Sequence, residues 1–274
     1  MTTSLSLDDQ MPVPDPYLDR FGGVGRLYGA VALERFRHAR VAVVGVGGVG
    51  SWAVEALARS GIGELTLWDM DDVCVSNTNR QLHTTRDTLG QFKVDVLAER
   101  CRAINPELTV NARQAFVTVD NLAETDLMAH DFVVDAIDSV AVKVALILAL
   151  KAAGTPFVMT GGAGGQRDPT RIRRGDLAQA TQDPLAARVR QWLRREHGYP
   201  RGDQRGRNKM GVPCIWSEEP LVYPQPDGSV CASKHFDGGT RMNCAGGFGA
   251  SMAVTATFGM VASAAVLDHL AGTV

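Results

Sequence analysis

An α/β fold, with a doubly wound and mostly parallel sheet, a basic insertion and a C-terminal extension, is predicted by three observations. Short β-branched runs alternate with helical patterns through the first half of the chain, as βαβ units require. A glycine turn, Gly45-Val46-Gly47-Gly48-Val49-Gly50, joins one such run to a helical pattern. An acid, Asp69, closes the next run 24 residues after Gly45.

Taken in order, a polar, proline-bearing arm spans residues 1–19. Strands are expected over 39–46, 64–69, 108–117, 132–138 and 156–160, each rich in Val, Ile, Leu or Phe and bounded by turn residues. Helices are expected between them over 52–60, 93–104 and 142–153, where apolar positions recur at helical spacing. The result is a Rossmann-like order, in which ligands sit outside the carboxyl ends of the strands where the winding reverses, here near Gly45 and Asp138.

With 274 residues, 45% apolar, and 28 basic against 30 acidic side chains, the chain can bury a full core and is neither disordered, collagen-like nor a disulfide scaffold. Five cysteines (Cys74, Cys101, Cys214, Cys231, Cys244) lack any CxxC pairing, which fits reduced thiols in a cytoplasmic protein and gives no structural zinc site. No basic start followed by an apolar run marks a signal peptide. Residues 245–267 run 23 positions without a charge, long enough to cross a bilayer, but fifteen are Gly, Ala, Ser or Thr. A closely packed internal helix, about 246–268, is expected there, with membrane association through 245–267 as the minor alternative.

Charge is unevenly placed. Residues 167–209 hold eleven Arg and one Lys against five acids, a net of +7. Such a stretch is a candidate polyanion surface, or else a solvated helix over 184–196 followed by a loop over 198–210.

The glycine turn brings bare backbone to phosphate oxygens, and the helix after it offers unpaired N–H groups and the positive end of its dipole. Asp69 can accept hydrogen bonds from a ribose diol. A nicotinamide oxidoreductase would show the same loop and acid. Arg80, in a run that also holds Asp71 and Asn77, and Lys93 beyond it decide otherwise. Two cations after the ribose acid suit a triphosphate and the charge that develops as pyrophosphate leaves. Asp138 at the end of a strand can hold Mg²⁺ through one carboxylate and waters.

GVGGVGS, D-x-D, SNxxRQ, GQxK and DAIDS fall in that order between Gly45 and Ser139, and together they resemble the ubiquitin-activating-enzyme superfamily of adenylating proteins. RFGGVGRLYG, DMDDVCVSNTNRQ, TGGAGGQRDPT, LVYPQPDG and CAGGFGAS extend the resemblance, over nearly the whole chain, to the branch that dehydrates threonylcarbamoyladenosine in tRNA. It implies one adenylating domain over 20–274. It also implies ATP and Mg²⁺ as cofactors, and activation of the threonylcarbamoyl carboxylate on adenosine 37, with AMP and pyrophosphate released before the modification closes into a ring. A homodimer and a sulfurtransferase-system partner are further implications. An alternative within adenylation is activation of the C-terminus of a ubiquitin-like sulfur-carrier protein.

Carried over by resemblance, Gly45, Gly47, Gly48 and Gly50 wrap the phosphates, Asp69 takes the ribose, and Asp71 and Asn77 the nucleotide surroundings. Arg80, Lys93 and Asp138 form the catalytic set, with Asp138 on the metal. Some relatives send an arginine of an RYxRQ-type segment into the partner's ATP, but Gly23 stands at that position here. Arg188, Arg190, Arg194, Arg195, Arg205, Arg207 and Lys209 are the candidate tRNA-phosphate contacts, with Trp192 and Tyr199 among them. Cys231 and Cys244 are expected near the substrate side.

Overall fold

The structure, a computed structural model, describes residues 15–201, 209–225, 227–232 and 248–273. Seven strands form the main sheet: β1 (Arg40–Val44), β2 (Glu64–Trp68), β3 (Thr109–Arg113), β4 (Phe132–Asp135), β5 (Phe157–Thr160), β6 (Ile172–Asp176) and β7 (Pro213–Ser217). Their order is β3-β2-β1-β4-β5-β7-β6. All neighbours pair in parallel except β6, which runs antiparallel to β7 at the edge. The winding reverses between β1 and β4, and this places a crevice above their carboxyl ends. A short β8 (Tyr223–Pro224) and β9 (Val230–Cys231) form a separate hairpin-like pair.

Helices α1 (Pro16–Tyr28), α2 (Ala30–His38), α3 (Gly50–Ala58), α4 (Lys93–Ile104), α5 (Val140–Ala153), α6 (Pro184–Glu196) and α7 (Met252–Ala271) cover the sheet. One face packs a core from α1, α2, α3, α4 and α7, and the other packs α5 and α6, so both faces of the parallel strands are dry.

Three expectations change. The N-terminal arm ends earlier than residue 19, because Asp15 caps α1 and Pro16 opens it, the Asp15 carboxylate accepting from Tyr17 N at 3.0 Å. The basic stretch is no appendage: it supplies β6 to the sheet and α6 to one of its faces, although 202–208 lie outside the described residues. The strand foreseen over 108–117 leaves its ladder after Arg113, and that over 132–138 ends at Asp135.

α7 is long and apolar enough to cross a membrane, yet it packs here as a core helix. Val254, Phe258, Ala262 and Val266 are fully buried. Gly259 allows the approach to α3: a Cβ there would stand 2.6 Å from the Val49 carbonyl oxygen and 2.8 Å from Ala53 N.

Candidate functional site

The crevice at the reversal point is a cleft of about 980 Å³. Its first wall is the glycine turn. Gly45 has φ +83 and donates its N–H to Trp68 O at 2.8 Å; a side chain there would press on Ala136 and Ile137 at 3.0 Å. Gly45, Gly47, Gly48 and Val49 line the cleft, and no side chain caps the start of α3. Orphan N–H groups at that helix end are the usual partners of an anion. Gly50, expected among the phosphate-wrapping glycines, does not line the cleft. It is there for packing, since a Cβ would fall 1.9 Å from Gly45 O.

Asp69 follows β2 and is buried, its Oδ2 accepting from Val46 N and its Oδ1 from Asp71 N, both at 2.9 Å. These bonds fix the carboxylate against the glycine turn while its remaining lone pairs stay available to hydroxyl donors. Asp71 Oδ2 accepts from Lys93 Nζ at 2.6 Å; the lysine side chain is 6% exposed and its partner 53%. Lys93 sits at the first position of α4, so one N–H bond holds the ammonium at the cleft wall with two donors left over.

Asn77 ends a 3₁₀ turn, Val75–Asn77, and its Oδ1 accepts from Cys74 N at 3.3 Å. Arg80 follows. Its carbonyl oxygen accepts from Trp52 Nε1 at 2.9 Å and Thr255 Oγ1 at 3.5 Å, which ties it to α3 and α7. Its Nη1 donates to Ser76 O at 3.0 Å and Asn79 Oδ1 at 2.9 Å, with no carboxylate partner among the described residues. Opposite these cations, Ile137, Asp138 and Ser139 form the wall after β4, and Asp138 is exposed to the cleft. No cluster of three or more His, Cys, Asp or Glu residues able to hold a metal exists among the described residues. One open carboxylate facing a phosphate-binding turn nevertheless suits Mg²⁺, which keeps most of its waters and takes few protein ligands.

The structure thus brings Gly45, Gly47, Gly48, Asp69, Asp71, Asn77, Arg80, Lys93 and Asp138 around one cleft. It adds lining that sequence reasoning passed over: Asn79, Gln81, the 116–118 loop after β3, the Thr160-Gly161-Gly162 wall after β5, and 248–250 with Thr255 from the C-terminal region. All but the 116–118 loop and Thr255 lay inside a motif already recognised, although none of them had been given a place at the site.

His83 sits behind Lys93, 2% exposed, and neither ring nitrogen has a hydrogen-bond partner among the described residues. Burial, then the Lys93 charge, pulls its pKa down from 6.5 to about 4. Between those two pH values the unfolded chain binds a proton that the folded chain refuses, so stability falls as pH drops through that window. One pKa unit corresponds to about 1.4 kcal/mol, so this ring should cost the fold about 3 kcal/mol by pH 4. His83→Leu should flatten the dependence of urea midpoint on pH between 6.5 and 4; an unchanged slope would assign the acid sensitivity elsewhere.

Among the described residues, no cysteine lines the cleft. Cys101 and Cys214 are buried, which pushes the Cys101 thiol up to about 12 and Cys214 higher still. Cys231 lies on β9 outside the cleft lining, and Cys244 is outside the described residues. Arg20 on α1 bonds to Pro16 O and faces Glu107 at 3.8 Å, and neither it nor Arg26 lines the cleft.

On α6, a groove of about 470 Å³ is lined by Ala187, Arg190, Gln191, Arg194, Arg195 and Arg201. Arg190 is partly committed, donating to Leu177 O and Ala180 O. Arg194 donates to Pro200 O at 3.1 Å, and Arg195 pairs with Glu196 on the exposed surface. Arg188 and Lys209 are exposed, whereas Arg205 and Arg207 lie outside the described residues. Tyr199 packs under Lys151, whose Nζ stands 5.2 Å from its ring, and is half-buried; Trp192 is 37% exposed. Leu185, in the first turn of α6, lines the nucleotide-side cleft, so at about 1.5 Å per residue Arg194 lies about 14 Å along the same helix.

Fold and site together define the class, an α/β protein whose switch-point cleft carries a phosphate-type glycine turn and two cations. The chain belongs to the ThiF family, whose profile matches residues 23–271. It is 54% identical over 259 residues to the tRNA threonylcarbamoyladenosine dehydratase of Escherichia coli (strain K12), covering 94% of this chain and 96% of the relative. The enzyme of that name from Haemophilus influenzae is 46% identical over 256 residues, covering 93% and 95%. The crystal structure of the E. coli tRNA N6-threonylcarbamoyladenosine dehydratase in complex with ATP superposes with a TM-score of 0.82 at 48% identity, covering 96% of this chain and 98% of that one.

Proposed function

We propose that this protein is an ATP-dependent tRNA threonylcarbamoyladenosine dehydratase. It adenylates the carboxylate on the modified adenosine 37, releases pyrophosphate, and lets the modification's own nucleophile expel AMP as the ring closes. The observation that carries this reading is the ring of Asp69, Arg80, Lys93 and Asp138 around the glycine turn, in a chain similar end to end to the named dehydratases.

In this reading the phosphates lie on the 45–49 turn and the ribose diol donates to Asp69. Arg80 and Lys93 face the β- and γ-phosphates and neutralise charge as the bond to the α-phosphate breaks. Mg²⁺, when bound at Asp138, supplies further charge neutralisation to the phosphate oxygens. A carboxylate oxygen is a poor leaving group and AMP a good one, so once the acyl-adenylate exists a tethered nucleophile needs little further help. The α6 groove takes tRNA phosphates. The protein works in the cytoplasm as a homodimer.

Purified protein should exchange labelled pyrophosphate into ATP only with threonylcarbamoylated tRNA present, and mass spectrometry should then find one hypermodified adenosine short of one water. Exchange driven by a Gly-Gly-ended carrier protein would overturn the proposal. So would ATP binding without AMP formation. Arg194→Glu with Arg195→Glu should weaken tRNA binding about tenfold and lower its log–log salt slope by about 1–2, while ATP affinity holds. Equal losses for both ligands would remove the groove from the tRNA path.

A further inference from the structure

Beneath the cleft, three ionisable side chains from three elements converge without lining it. Asp135 ends β4, Lys143 lies in the first turn of α5, and Asp183 caps α6. Lys143 Nζ donates to Asp135 Oδ1 at 2.8 Å and to Asp135 O at 3.3 Å, with the two side chains 0% and 1% exposed. Asp183 is buried, close enough for the Lys143 charge to act on it, and accepts from Gly162 N and Ala186 N, both at 2.9 Å. Burial raises the pKa of both acids, while Lys143 and the backbone donors pull the other way.

Stability alone does not account for such a cluster. A buried ion pair roughly breaks even against apolar packing, and here Asp135 Oδ2 has no hydrogen-bond partner among the described residues. What the cluster does hold is backbone at the cleft. Asp135 Oδ1 accepts from Ile137 N at 3.3 Å, and Asp135 O also accepts from Thr160 Oγ1 at 3.3 Å. The Asp183 carboxylate presses so closely on Gly161 that a Cβ there would meet Oδ2 at 1.8 Å. Each contact ends on one of two walls, Ile137 to Ser139 or Thr160 to Gly162, and both walls line the cleft.

We propose that Lys143, bonded to Asp135 beneath the cleft, is a positioning residue that together with Asp183 sets the spacing of these two walls and so places Asp138 against the reacting phosphate. The proposal rests on the adenylation reading above. It also means that α6, which carries the arginine groove, is anchored through its own cap to the nucleotide-side wall.

The test uses Asp183→Asn and the double variant Lys143→Met/Asp135→Asn, which removes the cation together with its buried partner's charge. AMP formation from threonylcarbamoylated tRNA, KM for ATP and tRNA, thermal unfolding, and hydrogen exchange of the 137–139 and 160–162 segments in saturating ATP are measured against the wild type. The expected result is kcat lower by about 10²-fold with both KM values within about threefold, since a misplacement of about 1 Å carries that penalty. Exchange at both walls should be faster in the variants. Wild-type kcat in the folded variants, or activity lost only in step with the folded fraction, would overturn the proposal. If the wild type itself forms no AMP, the functional reading fails. The exchange rates then decide the cluster separately, faster walls supporting its positioning role and wild-type rates refuting it.

Discussion

Arg80→Ala and Lys93→Ala are each expected to lower ATP–pyrophosphate exchange by about 10²–10³-fold while the protein stays folded. The size follows from charge: a preorganised cation aimed at charge that appears only in the transition state has an effect of this order when removed. The intact fold follows from burial. Among the described residues, Arg80 gives its guanidinium only to Ser76 O and Asn79 Oδ1, and the contacts that tie this stretch to α3 and α7 are made by its backbone carbonyl, which alanine keeps. Lys93 is more enclosed, yet its partner Asp71 is 53% exposed, so the abandoned carboxylate is hydrated rather than stranded. Unfolding midpoints within a few degrees of wild type, with exchange lowered by that factor, are the expected pair of results. Exchange at wild-type rates in both variants would remove the two cations from the phosphate path.

Gly259→Leu is expected to cost about 3 kcal/mol, lowering the thermal midpoint by about 6–12 °C. α7 approaches α3 so closely at this point that a first side-chain carbon would already overlap the Val49 carbonyl and Ala53 N. Neither helix can yield cheaply, because Val254, Phe258, Ala262 and Val266 of α7 are fully buried on the same side. Val49 also belongs to the cleft wall, so the variant should bind ATP more weakly even where it folds. A midpoint and an ATP affinity both like wild type would mean that α7 is not seated against α3 as described, and would reopen the reading of this segment as a membrane helix.

Parts of this architecture were plain in the sequence, and the reasons are local. Helix α4 occupies the range its periodicity indicated and α6 the range offered as a solvated helix within the charge run, where Asp183 followed by Pro184 is a cap signal with its own chemistry. The Asp15-Pro16 signal that opens α1 is equally clear but was absorbed into a polar arm. Strand β6 escaped notice because Ile172 is its one large apolar residue, an edge strand needs only one buried face, and its two arginines read as part of the charge run. Strand ends were overextended where β-branched residues continue past the last ladder bond, as beyond Arg113. At the site, the glycines and charged residues of compact motifs were found. Thr160 and Phe248 stood in recognised motifs but have no charge to mark a role, and Thr255 stood outside any, so only the fold gathers them at the cleft. Gly50 shows the limit of motif reading, since a helix packing against its own turn requires glycine whether or not phosphate is near.

One arrangement bears on how the protein is made. The cleft opens on β1, but 248–250 and Thr255 help to close it, and Thr255 steadies the carbonyl of Arg80. During synthesis the glycine turn leaves the ribosome some two hundred residues before the helix that completes the pocket, so nascent chains and prematurely terminated fragments cannot present a finished ATP site.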